Sequence, residues 1–200
     1  MFVLASASKA RQKLLDQIAL RHKVIVSDFD ETQFQETDPL IKVNLLAKAK
    51  ADSALKKLIQ ENETLNTFQA LLGCDSVFEF KGEIFEKPIN KEQLISRWKR
   101  MSGQSGFLHT GHYLISLDNS KSDMESISQN YSCEGVVSTK IEFMNLSNFE
   151  INKYASTSEP YNCAGGFAIE GNGGLFIKKI SFLCLCLPLH PKHVKNYLIK

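Results

Sequence analysis

The sequence predicts an α/β fold built on a mixed sheet. Three observations carry this. Short apolar runs alternate with helix-spaced runs through the first half of the chain. One of those helices opens on an acid followed by proline and keeps a single apolar stripe along its length. The second half is richer in strand patterns than in helices.

The elements follow in order. Phe2 to Ala5 reads as a short buried strand. Ser8 is a plausible N-cap, and Ala10, Leu14, Leu15 and Ile18 then recur at helical spacing. Val24, Ile25 and Val26 form a second strand, followed by an acidic loop holding Asp28, Asp30, Glu31, Glu36 and Asp38. Asp38-Pro39 opens a long helix to about Glu61. Leu71 to Phe80 is a strand, Lys81-Gly82 a hairpin turn and Glu83 to Phe85 its return. Asn90 and Gln93 have capping-box spacing ahead of Leu94, Ile95, Trp98 and Met101, one helical face ended by Gly103 and Gly106. Leu108 to Leu117 and Tyr131 to Phe143 read as strands, with a polar, Ser-rich tip at Asp118 to Gln129 between them. Ser147 and Glu150 box a short helix to Tyr154. Five of the eleven glycines lie between Gly165 and Gly174, a bias that sets this stretch apart from both strands and helices. Leu175 to Ile180 and Phe182 to Leu187 read as strands, and His190-Pro191 as the start of a terminal helix.

Composition narrows the class. The 200 residues are 43% hydrophobic and 23% charged, enough for one sizeable core and one domain over 1–200. Twenty-four basic and 22 acidic residues leave a net charge of +2, which offers no field for a nucleic-acid polymer or an acidic membrane. No apolar run approaches the roughly 20 residues of a membrane span. At the amino terminus the cations Lys9, Arg11 and Lys13 follow the apolar run, the reverse of a secretory signal. The five cysteines are odd in number and scattered, the pattern of thiols in a reducing, cytoplasmic setting.

Several residues stand out against this background. Ser6-Ala7-Ser8-Lys9-Ala10-Arg11 carries a strand into a helix through hydroxyl residues. Backbone N–H groups at a helix N-terminus favour anions, and Arg11 runs against the helix dipole unless an anion meets it. An N-cap serine with a solvated arginine is the plainer account. On a helical wheel Lys50 falls inside the stripe of Val43, Leu46, Ala47, Ala51, Ala54 and Leu58. Such a lysine either snorkels or meets an anion. Asp75 sits mid-strand in Leu71-Leu72-Gly73-Cys74-Asp75-Ser76-Val77-Phe78, where a carboxylate is costly unless paired, hydrogen-bonded or metal-bound. A structural ion pair and a catalytic or metal-binding acid both satisfy that requirement. Lys87-Pro88 fixes a cation after the hairpin, Asp30-Glu31 offers oxygens to a hard cation, and the glycines of 165–174 suit close approach to a flat group. His109 and His112 point to opposite faces of a strand, so they do not share a metal. Three cations (Arg11, Lys50, Lys87), acids for metal or base (Glu31, Asp75) and a Gly-rich wall suit a polyphosphate ester.

These residues, in this order, resemble the Maf family of nucleoside triphosphate pyrophosphatases. Leu4-Ala5-Ser6-Ala7-Ser8-Lys9-Ala10-Arg11 with Leu14-Leu15 is similar to the family's opening motif. Asp30-Glu31, Leu46-Ala47 with Lys50-Ala51, Gly73-Cys74-Asp75-Ser76-Val77, Gly82-Glu83, Lys87-Pro88, Ser102-Gly103 and Thr110-Gly111 continue the series. Glu159-Pro160, Ala164-Gly165, Glu170-Gly171 and Leu187-Pro188-Leu189 complete it. The resemblance implies an inosine-triphosphate-pyrophosphatase type of fold, two lobes around a deep cleft and often a homodimer. It implies hydrolysis of a nucleoside triphosphate to the monophosphate and pyrophosphate with a divalent cation: magnesium, manganese or cobalt. It makes Asp75 the proton acceptor or metal-linked base, has Ser6, Ser8, Arg11, Lys50 and Lys87 hold the triphosphate, and gives Glu31 a part in binding the metal. Ala10, Ser76 and Glu170 match positions that select the base.

This sequence departs from the family pattern at those last positions. Ala10 stands where Arg or Trp is common, Ser76 where Thr or Gln is common, and Glu170 where the pyrimidine-type members have Gln but the 7-methyl-GTP type has an acid. The base preference therefore stays open. The stretch Ile180 to Cys186 is shorter and more apolar than the family's. The family's link to septum formation leaves a rival reading, a cell-division regulator acting through nucleotide sensing or macromolecular contact. The chain has no basic run or RNA-binding signature to support it.

Overall fold

The structure, a computed structural model, describes residues 1–27, 29, 35–61, 64–117 and 132–183. Among them seven strands form a mixed sheet: β1 (Phe2–Ala5), β2 (His22–Val24), β3 (Ala70–Phe80), β4 (Glu83–Phe85), β5 (Ser105–Ser116), β6 (Ser132–Phe143) and β7 (Ile177–Leu183). The helices are α1 (Lys9–Gln17), α2 (Pro39–Gln60), α3 (Lys91–Met101) and α4 (Asn148–Ala155). Strand order is β2-β1-β3-β5-β6-β7, with β4 on β3. β1 runs parallel to β2 and β3, whereas β3–β4 and β6–β7 are antiparallel. The α/β class with a mixed sheet is therefore as the alternation of patterns predicts.

The chain divides into two compact units. Of the described residues, 1–75 and 111–136 belong to the first, and 76–110 and 137–183 to the second.

In the first unit α2 supplies the core. Its N-cap Asp38 accepts from the N–H groups of Leu40 and Ile41, with Pro39 at the first helical position. Val43, Leu46, Ala47, Ala51, Ala54, Leu55 and Leu58 are buried, the expected stripe with Leu55 added. Most of these pack with Val3, Ala5, Leu71, Tyr113 and Ile115. Two glycines set how closely the helix seats. A Cβ on Gly73 of β3 would stand 2.1 Å from the Ala47 carbonyl oxygen. One on Gly111 of β5 would stand 2.2 Å from that of Val43, one helical turn earlier.

In the second unit an aromatic core surrounds Trp98, which is fully buried. Phe143, Tyr154, Phe167 and Phe176 meet its ring edge-on at centroid distances of 5.3, 5.6, 6.3 and 5.5 Å. The indole Nε1 donates to the Gly166 carbonyl at 3.1 Å. The Lys81-Gly82 turn has both residues at positive φ, as a two-residue hairpin requires. Ser147 and Glu150 form a full capping box. Asn90 accepts from Gln93 N, but the Gln93 side chain accepts from Ile89 N, one residue before the cap.

The sequence expectations differ from the structure at four places. No residue of α1 is buried, and Leu14 and Ile18 are 60% and 69% exposed, so its apolar spacing does not mark a core face. β2 covers His22–Val24 and leaves Val26 exposed. Gly103, at positive φ, follows the end of α3, but Gly106 lies inside β5, where a Cβ would meet the Phe78 ring at 2.3 Å. The break expected between Ile180 and Phe182 is absent: β7 runs through it to Leu183, preceded by a 3₁₀ turn at Asn172–Phe176, and 184–187 lie outside the described residues. The expected tip at 118–129, the thiols Cys184 and Cys186, Leu187-Pro188-Leu189 and the terminal helix at His190 lie outside the described residues.

Candidate active site

The first unit holds Ser6, Ser8, Arg11, Lys50 and Asp75 of the expected residues. β1 ends at Ala5, and the chain turns through Ser6, which is buried, into α1. Ser8 is the N-cap, its hydroxyl accepting from Arg11 N at 3.4 Å. The Arg11 guanidinium folds back over that turn. Its Nη1 donates to Ser6 Oγ at 2.8 Å and to the Cys74 carbonyl oxygen at 3.0 Å. Arg11 is thus tied to the β3 residue next to Asp75. Ser6 Oγ also accepts from Ser8 N at 3.3 Å.

Lys50 and Asp75 form the second half of this arrangement. Leu71, Gly73 and Asp75 alternate onto one face of β3. Gly73 admits the α2 backbone at Ala47, and one turn on, Lys50 Nζ donates to Asp75 Oδ1. Both side chains are largely withdrawn from solvent, at 13% and 11% exposure. Of the two accounts of Lys50 from sequence, the anion is the one observed. Cys74, between Gly73 and Asp75, registers the local charges. Burial pushes its thiol up to about 11, Asp75 adds to the push, and Arg11 and Lys50 oppose it.

The remaining residues are placed as follows. Ala10 is half-buried on α1. Ser76 belongs to the second unit, and its hydroxyl pairs with Thr110 Oγ1 at 2.9 Å. Lys87 and Glu170 are exposed in the second unit. Both act on the Cys163 thiol, which burial raises to about 11, with Glu170 and Glu159 adding to the rise and Lys87 opposing it. Glu31 lies outside the described residues.

Two constellations centre on residues to which the sequence assigned no role. His109, buried on β5, has Nδ1 2.7 Å from Ser138 Oγ and Nε2 3.0 Å from Glu79 Oε2. Its partners lie on β6 and β3, so only the strand order could have identified them. Glu159 bonds to Tyr154 and to the loop at Asn172–Gly173. Its place just ahead of the glycine run was the available signal.

Among the described residues no group of three or more His, Cys, Asp or Glu is placed to hold a metal ion. A hard divalent cation that arrives with a triphosphate does not need one. Magnesium-type ions are commonly held by one or two carboxylates plus substrate phosphate oxygens and water. The oxygen-only side chain of Asp75, close beside cations able to take phosphate, fits that role.

Comparison with known proteins agrees with the motifs. Residues 1–182 match the family described as Maf-like protein. A protein of Prochlorococcus marinus (strain NATL1A) named nucleoside triphosphate pyrophosphatase is 85% identical over 98% of this chain and 96% of its own length. One of the same name from strain NATL2A is 91% identical over 90% of this chain and 85% of its own. A third, from Synechococcus sp. (strain CC9311), is 43% identical over 90% of this chain and 90% of its own. A solved nucleoside-triphosphatase / dITP/XTP pyrophosphatase of Mycobacterium abscessus covers 72% of this chain and 74% of its own at 10% identity, with a TM-score of 0.32. That last likeness is too slight to bear on the chemistry. With a match over 182 residues and relatives so near along almost the whole length, the chain belongs to the Maf-like protein family.

Proposed function

We propose that this chain hydrolyses a nucleoside triphosphate to the nucleoside monophosphate and pyrophosphate, removing surplus or modified nucleotides. The observation that carries this is the buried Lys50–Asp75 pair on one face of β3, with Arg11 anchored at the adjacent Cys74. The names of the close relatives support the same activity.

In this reading Asp75 accepts the proton of the attacking water. Lys50 is paired with that carboxylate before substrate arrives, and shares its ammonium protons with phosphate oxygens afterwards. Arg11 offers guanidinium protons to the triphosphate from a position that Ser6 and the Cys74 carbonyl oxygen fix in advance. Ser8 and the first amides of α1 add donors. Lys87 as a phosphate cation, and Ala10, Ser76 and Glu170 as base-selecting positions, enter through the family motif. Asp75, with Glu31, would hold a divalent cation (magnesium, manganese or cobalt), which when bound neutralises charge on the phosphates.

The same reading treats the two units as one catalytic domain over 1–200, acting in the cytoplasm as a homodimer without a nucleic-acid polymer or a membrane as partner. The near-zero net charge and the free thiols Cys74, Cys133 and Cys163 are consistent with it. No helix of the described residues is long and apolar enough to cross a membrane.

The test is a panel of ordinary and modified nucleoside triphosphates with each metal, reading released pyrophosphate and orthophosphate separately. Pyrophosphate with the monophosphate is the expected pair. Release of orthophosphate alone, or salt-sensitive DNA binding with no hydrolysis, overturns the reading.

A further inference from the structure

Glu159 is bound on both carboxylate oxygens. Oε1 accepts the Tyr154 hydroxyl at 2.8 Å and the Gly173 N–H at 2.9 Å. Oε2 accepts the Asn172 N–H at 3.0 Å and its Nδ2 at 3.1 Å. The Tyr154 oxygen in turn accepts from Ala168 N at 3.2 Å. Between these two anchorages lies a turn closed by Gly171 N on the Ala168 carbonyl oxygen at 3.3 Å, and that turn carries Glu170. Glycines on the loop make room for the clamp's oxygens. A Cβ on Gly171 would stand 2.5 Å from Glu159 Oε2, and one on Gly173 2.7 Å from the Tyr154 oxygen.

We propose that Glu159, with Tyr154, is the positioning residue for base selection: it clamps both flanks of the Ala168–Gly171 turn and so fixes where Glu170 meets the nucleobase. This rests on the pyrophosphatase reading above. Charge supports the geometry. Partial burial pushes the Glu159 carboxyl up, but the hydrogen bonds from Asn172, Gly173 and the Tyr154 hydroxyl together outweigh that and lower it from its ordinary value. Glu159 thus stays an anion, which no neutral side chain of its size reproduces. Glu170 itself is exposed, and an exposed side chain discriminates only as well as its backbone is held.

The experiment compares the full chain with Glu159→Gln, Tyr154→Phe and Glu170→Ala on dTTP, UTP, GTP and 7-methyl-GTP. For Glu159→Gln, KM for the favoured triphosphate rises about five- to tenfold while kcat stays within about twofold, and the ratios between bases flatten toward those of Glu170→Ala. Tyr154→Phe moves the same ratios in the same direction by less, and it carries the test if Glu159→Gln does not fold. Combining Glu159→Gln with Glu170→Ala adds little, because both act through one contact. Wild-type base ratios in both single variants, or an equal loss on every triphosphate, overturn the proposal. Affinities for α,β-methylene triphosphates separate the two failures. A wild-type chain that binds with base preference but releases no pyrophosphate sinks the hydrolytic reading, and Glu159→Gln is then scored on affinity ratios. Hydrolysis whose base preference survives both variants sinks this proposal alone.

Discussion

The Lys50 ammonium reaches the Asp75 carboxylate across the α2–β3 contact, and neither group is more than about an eighth exposed. Removing the base and removing its partner therefore have different consequences. Asp75→Asn loses about a thousandfold in kcat, the scale of a general base. Lys50→Met takes the ammonium away from a buried carboxylate and costs about 3 kcal/mol of stability. The double variant recovers part of that loss because no charge remains to be buried. Pyrophosphate release measures the first effect and urea denaturation the other two. Equal stability of Lys50→Met and wild type would falsify the ion-pair account.

Gly73 tests how that reach is set. The obstruction facing a Cβ there is the Ala47 carbonyl oxygen at 2.1 Å, a backbone atom that cannot rotate aside. Gly73→Ala has to push α2 off the sheet, at about 1–3 kcal/mol. The shift also carries Lys50 away from Asp75, so kcat falls although no catalytic group has changed. A Gly73→Ala protein with wild-type Tm and kcat would show that the helix seat does not govern the pair.

Arg11 gives one guanidinium nitrogen, Nη1, to both Ser6 Oγ and the Cys74 carbonyl oxygen. A single ammonium lacks the planar geometry to serve both and still face a phosphate. Arg11→Lys raises KM for the triphosphate about tenfold with a smaller change in kcat. Steady-state kinetics decide it: an unchanged KM removes Arg11 from the phosphate contacts.

Cys74 gives the chain a pH dependence with a fixed sign. The thiol ionises at 9.0 in an exposed chain and at about 11 in the fold. Below pH 9 both states hold the proton and the group adds no slope. Between those values the unfolded chain has lost it while the folded chain has not, so stability falls as pH rises. The full loss is about 3 kcal/mol, complete once the folded thiol ionises. Cys74→Ala removes this component, and chemical denaturation of both proteins from neutral to alkaline pH shows a shallower decline in the variant. Parallel declines would mean that the thiol is not held protonated.

The sequence disclosed features set by local spacing. The α2 stripe, the hairpin at Lys81-Gly82, the four N-caps and the anomaly of Lys50 inside an apolar face are all encoded within a few residues. Lys50 and Asp75 could each be singled out, but not joined. Their meeting depends on two glycines that admit α2 to the sheet, a matter of strand neighbours. The same limit hid Ser138 and Glu79 around His109. Periodicity misled at α1, because helical spacing of Leu14 and Ile18 records a shared side of the helix, not what covers it. The glycines from Gly165 to Gly174 suit close approach to a flat group, and the sequence does not show what else they admit. Gly171 and Gly173 make room for the Glu159 carboxylate and the Tyr154 hydroxyl, oxygens of the protein's own.

Trp98 is the chain's one tryptophan, and it lies at the centre of the second unit's aromatic core. Its emission is therefore a built-in optical label for that unit alone. Shielded by four edge-on rings, it emits to the blue in the fold and shifts red on exposure. Circular dichroism reads backbone order in both units at once. Superimposed denaturation curves from the two signals would mean that both units melt as one cooperative body. Displaced curves would resolve the melting of the part that carries Lys50 and Asp75 from that of the part that carries Glu159 and Glu170.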